Sequence, residues 1–480
     1  MVAGLPTDVA VLDVGSNSVR FVLYRRTAGV WQPVFNEKAS CGLGRALGKT
    51  GKLDFEGKKC ALKALRRFTL LAKDLGAQET VALATAAIRE SSDGSAFADE
   101  IRRRFSLNLR VLSGAEEGHY GGLGVLAFAP KAKGLCGDQG GASLELTVLG
   151  GGHLGSAISL PLGVLPLLGE GQKHIREKLK QAPHGVHKVF YAVGGTWRAL
   201  ATMHQKLSGY PLEHIHYYTV TPEAVQACLA QMQGLTAAAI AKLPGVPKSR
   251  AETLPVAAMV LAEICAKFKV ENIVFSGNGI REGYLHQHYP VRGNSDPLLD
   301  EAMAYASVSR LFADTSQALF EWLAPVRALM AGRCDRLVRV LCLIADSARK
   351  EHPDHRAELA YTKILYAPFT AITHNERAFL ALAMFVRHAG KIDRRHCAIA
   401  LTLLSEREIA DVQLTGSALR LAKALAGGHD ALLSLAPLSE HHGWSLTFTQ
   451  PDRLAPGELP QKRLEEFRGV VKGWKKVSSE

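Results

Sequence analysis

The chain has 480 residues, 47% of them hydrophobic, enough for two or three domains that each bury a full core. Lysines and arginines (58) outnumber aspartates and glutamates (45), and the net charge of +13 favours an anionic partner. No apolar run approaches the roughly 18 to 20 residues needed to cross a membrane, and Met1 to Asp8 lacks the charged and apolar regions of a signal peptide, so a cytoplasmic protein with no membrane partner is expected.

The first predicted elements are a buried strand over Val9–Val14 and a meander continuing through Val19–Tyr24 and Trp31–Phe35. Across the first hairpin runs Asp13-Val14-Gly15-Ser16-Asn17-Ser18-Val19-Arg20, an aspartate near a strand end followed by a turn of small residues. Small residues let backbone N–H groups approach an anion closely, and the aspartate can reach a hydrated metal ion. Gly44-Arg45-Ala46-Leu47-Gly48-Lys49-Thr50 is one residue short of a P-loop, with Leu43 where the first glycine belongs. It reads instead as a basic loop that offers Arg45 and Lys49 to a phosphate chain. A helix over Phe55–Leu75, a strand over Thr80–Ala84, a helix over Ala96–Phe105 and a strand over Leu109–Leu112 follow. Arg89 lies just past the first of these strands, which ends at Ala84, where its fork can hold phosphate oxygens. Ser113-Gly114-Ala115-Glu116-Glu117-Gly118 then opens a helix with two carboxylates, a placement that the helix dipole also favours.

The design returns 125 residues later in Asp138-Gln139-Gly140-Gly141-Ala142-Ser143-Leu144-Glu145. Strands over Ser143–Val148 and His153–Leu160 continue it, followed by a strand over Lys188–Val193, a helix over Glu252–Phe268 and a strand over Asn272–Phe275. Gly194-Gly195-Thr196 and Ser276-Gly277-Asn278-Gly279 end two of these strands as tight turns. Strands alternating with helices imply an α/β fold, and two such lobes imply a cleft where the strand ends converge. Two facing turns would clamp phosphate.

From Pro297 the pattern changes to helices, over Asp300–Phe312, Ser316–Ala324, Cys334–Ala348, Glu376–His388, Ala398–Leu403 and Gly416–Leu425, with strands expected in Leu435–Phe448. The domains expected are thus 1–125, 126–296 and 297–480. The last holds 24 of the basic and 21 of the acidic residues, so ten of the thirteen excess charges lie in the two lobes. His352-Pro353-Asp354-His355 is no adjacent His-Asp pair, and no full metal-ligand set follows it. Eight scattered cysteines without a Cys-x-x-Cys pair indicate neither a zinc site nor a disulfide framework. The basic end Arg468–Lys476, with Trp474, reads as a solvated helix end.

The segments DVGSNSVR, ATAAIRESSDG, SGAEEG, GDQGGASLEL, AVGGT and FSGNGIREG, in this order over Val9–Tyr284, resemble the exopolyphosphatase and guanosine pentaphosphate phosphohydrolase family. That family belongs to the superfamily of actin, sugar kinases and heat-shock ATPases. The resemblance implies two actin-like (ribonuclease H-like) lobes with a cleft, then a helical C-terminal domain related to His-Asp hydrolases and here degenerate, serving as substrate channel or dimerisation module. It implies Mg²⁺-dependent release of terminal orthophosphate from inorganic polyphosphate by activated water, or removal of the 5′ γ-phosphate of guanosine pentaphosphate. Glu117 would be the base and Arg89 the phosphate fork. Asp13, Asp138 and Glu145 would serve the metal, and Gly15, Ser16, Asn17, Ser18, Gly140, Gly141, Ser143, Gly195 and Gly277 the phosphate. A homodimer is expected, with no specific nucleic acid partner.

The chain departs from the family's Asp-Ile-Gly-Gly-Gly-Ser-Thr-Glu-Leu at Gln139, Ala142 and Leu144. Leu144 removes a hydroxyl and Ala142 adds a methyl at the phosphate turn. A working site with changed activity or preference is expected, and a non-catalytic polyphosphate or nucleotide sensor is the alternative. A sugar kinase is disfavoured by the paired glutamates.

Overall fold

The computed structural model describes residues 6–290, 296–307, 316–441 and 443–479. Its chain divides into two compact units, one ending at Gly293 and the other beginning at Asn294.

The first unit builds one sheet twice. β1 (Asp8–Val14), β2 (Val19–Thr27) and β3 (Val30–Ala39) form an antiparallel meander, and β4 (Glu79–Ala84) and β5 (Leu109–Val111) extend it in parallel from β1. The order is β3-β2-β1-β4-β5. In the second sheet β6 (Lys133–Gln139), β7 (Leu144–Gly150) and β8 (Leu154–Leu160) form the meander, and β9 (Val189–Val193) and β11 (Asn272–Phe275) extend it in parallel. The two-residue β10 (Thr219–Val220) adds an edge, giving β10-β11-β9-β6-β7-β8. Two mixed sheets of one topology, as expected, therefore face the cleft with equivalent strand ends.

β1 is a continuous apolar run because helices cover both of its faces. Ala10 and Leu12 pack with Leu65 and Phe68 of the helix Phe55–Asp74, while Val9 and Val11 pack with Tyr120, Tyr284 and Leu285. The last three sit on the helices Gly114–Leu126 and Ile280–His288. The helix Ile280–His288 thus follows the second sheet in the chain but packs against the first. The helix Gly114–Leu126 also reaches the second sheet, where a Cβ on Gly118 or Gly122 would come within 3.0 or 3.1 Å of Thr147. The two helices touch backbone to backbone, since a Cβ on Gly283 would lie 1.8 Å from the Tyr120 carbonyl.

The second unit is helical. Among its longer helices are Pro297–Ser307, His374–Ala389, Glu406–Ala426 and Glu458–Ser479. The part of the expected Asp300–Phe312 helix beyond Ser307 lies outside the described residues. The expected strands over Leu435–Phe448 shrink to Leu438–Ser439 paired with Ser445–Leu446. Trp474 corrects the expectation of a solvated end: it is buried, its Nε1 donates to Asp411 (2.7 Å), and the Arg407 guanidinium lies over its ring. A 22-residue amphipathic helix spends its apolar stripe, including Leu464, Phe467, Val471 and Trp474, on the core. His352 to His355 form a short turn, and no cluster of three His, Cys, Asp or Glu able to hold a metal occurs among the described residues. No described helix is long and apolar enough to cross a membrane.

Candidate active site

Both hairpin turns close with the same bond. The Gly15 N–H donates to the Ser18 carbonyl (3.0 Å), and the Gly140 N–H to the Ser143 carbonyl (2.9 Å). The turns meet so closely that a Cβ on Gly141 would stand 2.7 Å from the Ser16 Cβ, so contact across the lobes requires glycine there. Between them opens a cavity of about 180 Å³, the volume open to the centre of a water molecule. It is lined by Gly15 to Ser18, Gln139 to Ser143, Asp13, Asp138, Glu117 and Gly195, together with Thr85 from the end of β4.

Two adjacent glutamates separate sharply. Ser113 caps the helix Gly114–Leu126, and Glu116 completes the capping box by accepting from the Ser113 N–H (2.9 Å). That bond, with Arg110 and the Ser113 hydroxyl, pulls the Glu116 carboxyl down to about 2. Glu117, one residue on, points into the protein and is 4% exposed. Burial raises its carboxyl to about 7; the Arg89 guanidinium opposes this at 2.9 Å, and Asp138 and Asp13 push the same way as burial. Such a carboxylate accepts a proton near neutral pH.

Asp13 and Asp138 end equivalent strands and face one cavity. Burial raises both, Asp138 to about 6; Arg198 opposes the rise at Asp138 and Arg281 at Asp13, while Asp13 adds to it at Asp138. Arg281 stands 3.6 Å from Asp13 and is held in turn by Glu282, which accepts from the Tyr24 hydroxyl and the Gly279 N–H.

Three expected site residues lie off the cavity wall. Arg89 is not a free phosphate fork: its Nη1 donates to Glu117 and to the Leu112 carbonyl (2.8 Å), because the short helix Ala86–Glu90 aims it at the neighbouring helix start. Glu145 is 1% exposed behind the turn, where it accepts from Ser159 (2.7 Å) and leaves Oε2 unpartnered; burial, then Glu117, raise its carboxyl well above the ordinary range. Gly277 gives its carbonyl to Arg198 (3.0 Å) and its N–H to His216 (2.9 Å).

Five cations on the wall escaped the sequence reading: Arg20, Lys38, Arg198, Arg250 and Arg281. Burial lowers Arg20, Lys38, Arg198 and Arg250, and mutual repulsion adds to it at Arg20, Lys38 and Arg198. Clustered cations that destabilise one another mark an anion site. Arg20 and Arg281 stand inside two of the motifs quoted above, which was the available signal; Arg250 has none.

Of the departures, Leu144 is fully buried in the core of the second lobe, so its lost hydroxyl does not face the cavity. Gln139 donates to the Leu162 carbonyl (3.0 Å), and Ala142 remains on the wall.

Duplicated sheets with a cation-lined cleft between them define an actin-like, two-lobed protein. Its sequence matches the Ppx/GppA phosphatase family model over residues 22–291 and an exopolyphosphatase C-terminal model over 328–475. The chain belongs to the Ppx/GppA phosphatase family. It is 24% identical over 322 residues to exopolyphosphatase 1 of Mycobacterium tuberculosis, covering 62% of this chain and 93% of that one. In fold it is similar to the family member from Aquifex aeolicus (22% identity, 58% of this chain and 96% of that one, TM-score 0.52). It is also similar to an exopolyphosphatase from Cytophaga hutchinsonii (20% identity, 58% and 96%, TM-score 0.53).

Proposed function

We propose that the protein is an exopolyphosphatase that releases terminal orthophosphate from inorganic polyphosphate, with Glu117 as the base that takes the proton of the attacking water. The observation that carries this reading is the polarity of the cavity, with buried Glu117 beside Asp13 and Asp138 and five cations around the rest of the wall. Phosphoryl transfer to water needs a positioned acceptor and neutralised phosphate oxygens more than covalent chemistry. Arg89 fixes one Glu117 oxygen and leaves the other for water. Among the described residues no acceptor takes the N–H groups of Asn17 and Ala142, so these remain for phosphate oxygens. The cations suit a repeating polyanion, and among the described residues no aromatic ring lines the cavity to stack on a guanine.

Mg²⁺ fits the donor set. It keeps several waters and takes one or two carboxylates plus substrate phosphates, and Asp13 and Asp138 offer two hard oxygen donors whose burial disfavours their charge until a cation arrives. Glu145, with its unpartnered Oε2, would support Asp138 from behind. When bound, the ion would neutralise charge on the phosphate oxygens. Phosphate release from polyphosphate and from guanosine pentaphosphate, each with and without Mg²⁺, tests the reading. Release from polyphosphate that depends on Mg²⁺ supports it; release from guanosine pentaphosphate alone, or from neither, overturns it.

A further inference from the structure

Behind the first phosphate turn, two thiols touch. Cys60, on the helix Phe55–Asp74, stands with its Sγ 3.0 Å from that of Cys41, in the loop after β3. The same loop braces the turn: the N–H groups of Cys41 and Gly42 donate to the Asn17 carbonyl (3.1 and 3.0 Å), and that of Gly44 to the Ser16 carbonyl (2.9 Å). Asn17 and Ser16 line the cavity.

We propose that Cys41 and Cys60 form a reversible disulfide that loosens the Gly15–Ser18 turn. The oxidant is a hydroperoxide, and the more exposed Cys60 reacts first. Its thiolate forms an S–O bond as the O–O bond of hydrogen peroxide breaks, leaving a sulfenic acid and hydroxide. The Cys41 sulfur then attacks the Cys60 sulfur and the S–O bond breaks; the Cys41 proton leaves with the departing oxygen as water. Two thiols lose two electrons in all, and the peroxide becomes two waters once the Cys60 proton is counted. Burial and the neighbouring thiol push Cys41 up to about 12, which agrees with its acting second.

A disulfide needs the sulfurs about 1 Å closer than they now are. The helix side cannot yield readily, because Ala61, Leu65 and Phe68 anchor it in the core. The loop already lies close to the helix backbone, where a Cβ added at Gly57 would stand 3.1 Å from the Gly42 carbonyl and 3.2 Å from that of Cys41. The approach therefore falls to the Cys41 segment, whose shift toward Cys60 would draw the Cys41 and Gly42 amides from the Asn17 carbonyl.

The test treats the full chain with hydrogen peroxide, then reads linked peptides by mass spectrometry without reduction and amide exchange at Cys41, Gly42 and Gly44. A Cys41–Cys60 linked peptide is expected, with exchange at these amides about tenfold faster and both changes reversed by dithiothreitol. Cys60→Ser should give no link and no change in exchange. Sulfinic acid at Cys60 without a link, a link that leaves the three amides protected, or a Cys60→Ser protein that responds like the wild type would each overturn the proposal. Neither readout depends on the protein's substrate.

Discussion

The two lobes present the same hairpin turn to one cavity, yet they differ at the residue paired across the strands from the aspartate. Asp13 is paired with Arg20, whereas Asp138 is paired with Glu145. The helices after β5 and β11 diverge similarly. Both begin with a glutamate capping the first turn, Glu116 and Glu282, but the next residue is Glu117 in one and Gly283 in the other. A side chain at Gly283 would strike the Tyr120 backbone, so a base can stand on only one of the two helices. A duplicated scaffold thus becomes asymmetric through a few charge changes at equivalent positions.

The strongest way to break this asymmetry is to remove the proposed base. Glu117→Gln should keep the fold and lower kcat by about a hundred- to ten-thousand-fold, while Glu116→Gln should cost less than about threefold; steady-state phosphate release decides. Equal losses would end the assignment of roles.

The pH profile follows from the same burial. With Glu117 raised to about 7, kcat/KM should fall about tenfold per pH unit below that point and level off above it. Stability should run the other way. Glu117 and Asp138 have folded values above their unfolded ones, so their contribution is full below the unfolded carboxyl range, roughly pH 4, and is lost as pH rises through about 6 and 7. Thermal melts without Mg²⁺ should show a steeper decline from pH 5 to pH 8 in the wild type than in Glu117→Gln.

The contact between the two turns can be sharpened by a pair of adjacent glycines. Gly141→Ala forces a methyl onto Ser16 and should cost about ten- to a hundredfold in turnover. Gly140→Ala meets nothing nearer than 3.6 Å and should stay within about threefold. Similar losses in both would mean that glycine serves flexibility rather than approach.

The cationic wall predicts smaller effects, chiefly on binding. Arg198→Ala or Lys38→Ala should raise KM for long polyphosphate about tenfold at low salt, with the gap to wild type narrowing as salt screens the remaining charge. A modest change is expected for Glu145→Gln, because burial already favours the neutral acid; turnover within about tenfold of wild type, with unchanged secondary structure by circular dichroism, would match.

The sequence by itself determined the duplicated design. Apolar runs such as Val9–Val14 and turns of aspartate and small residues are local signals, and a strand with its following turn needs few distant contacts to declare itself. Glu117 was legible for the same reason, as part of a helix start with its own cap. What only the tertiary structure decided is who faces whom. Arg20, Lys38, Arg198, Arg250 and Arg281 span more than half the chain, and their meeting depends on strand order rather than on spacing. Arg89 looked like a phosphate ligand until the fold placed Glu117 within its reach, and Trp474 looked solvated until the core accepted it. Charge and burial act through distance in space, and the chain fixes that distance only once the sheets have paired and their helices have packed.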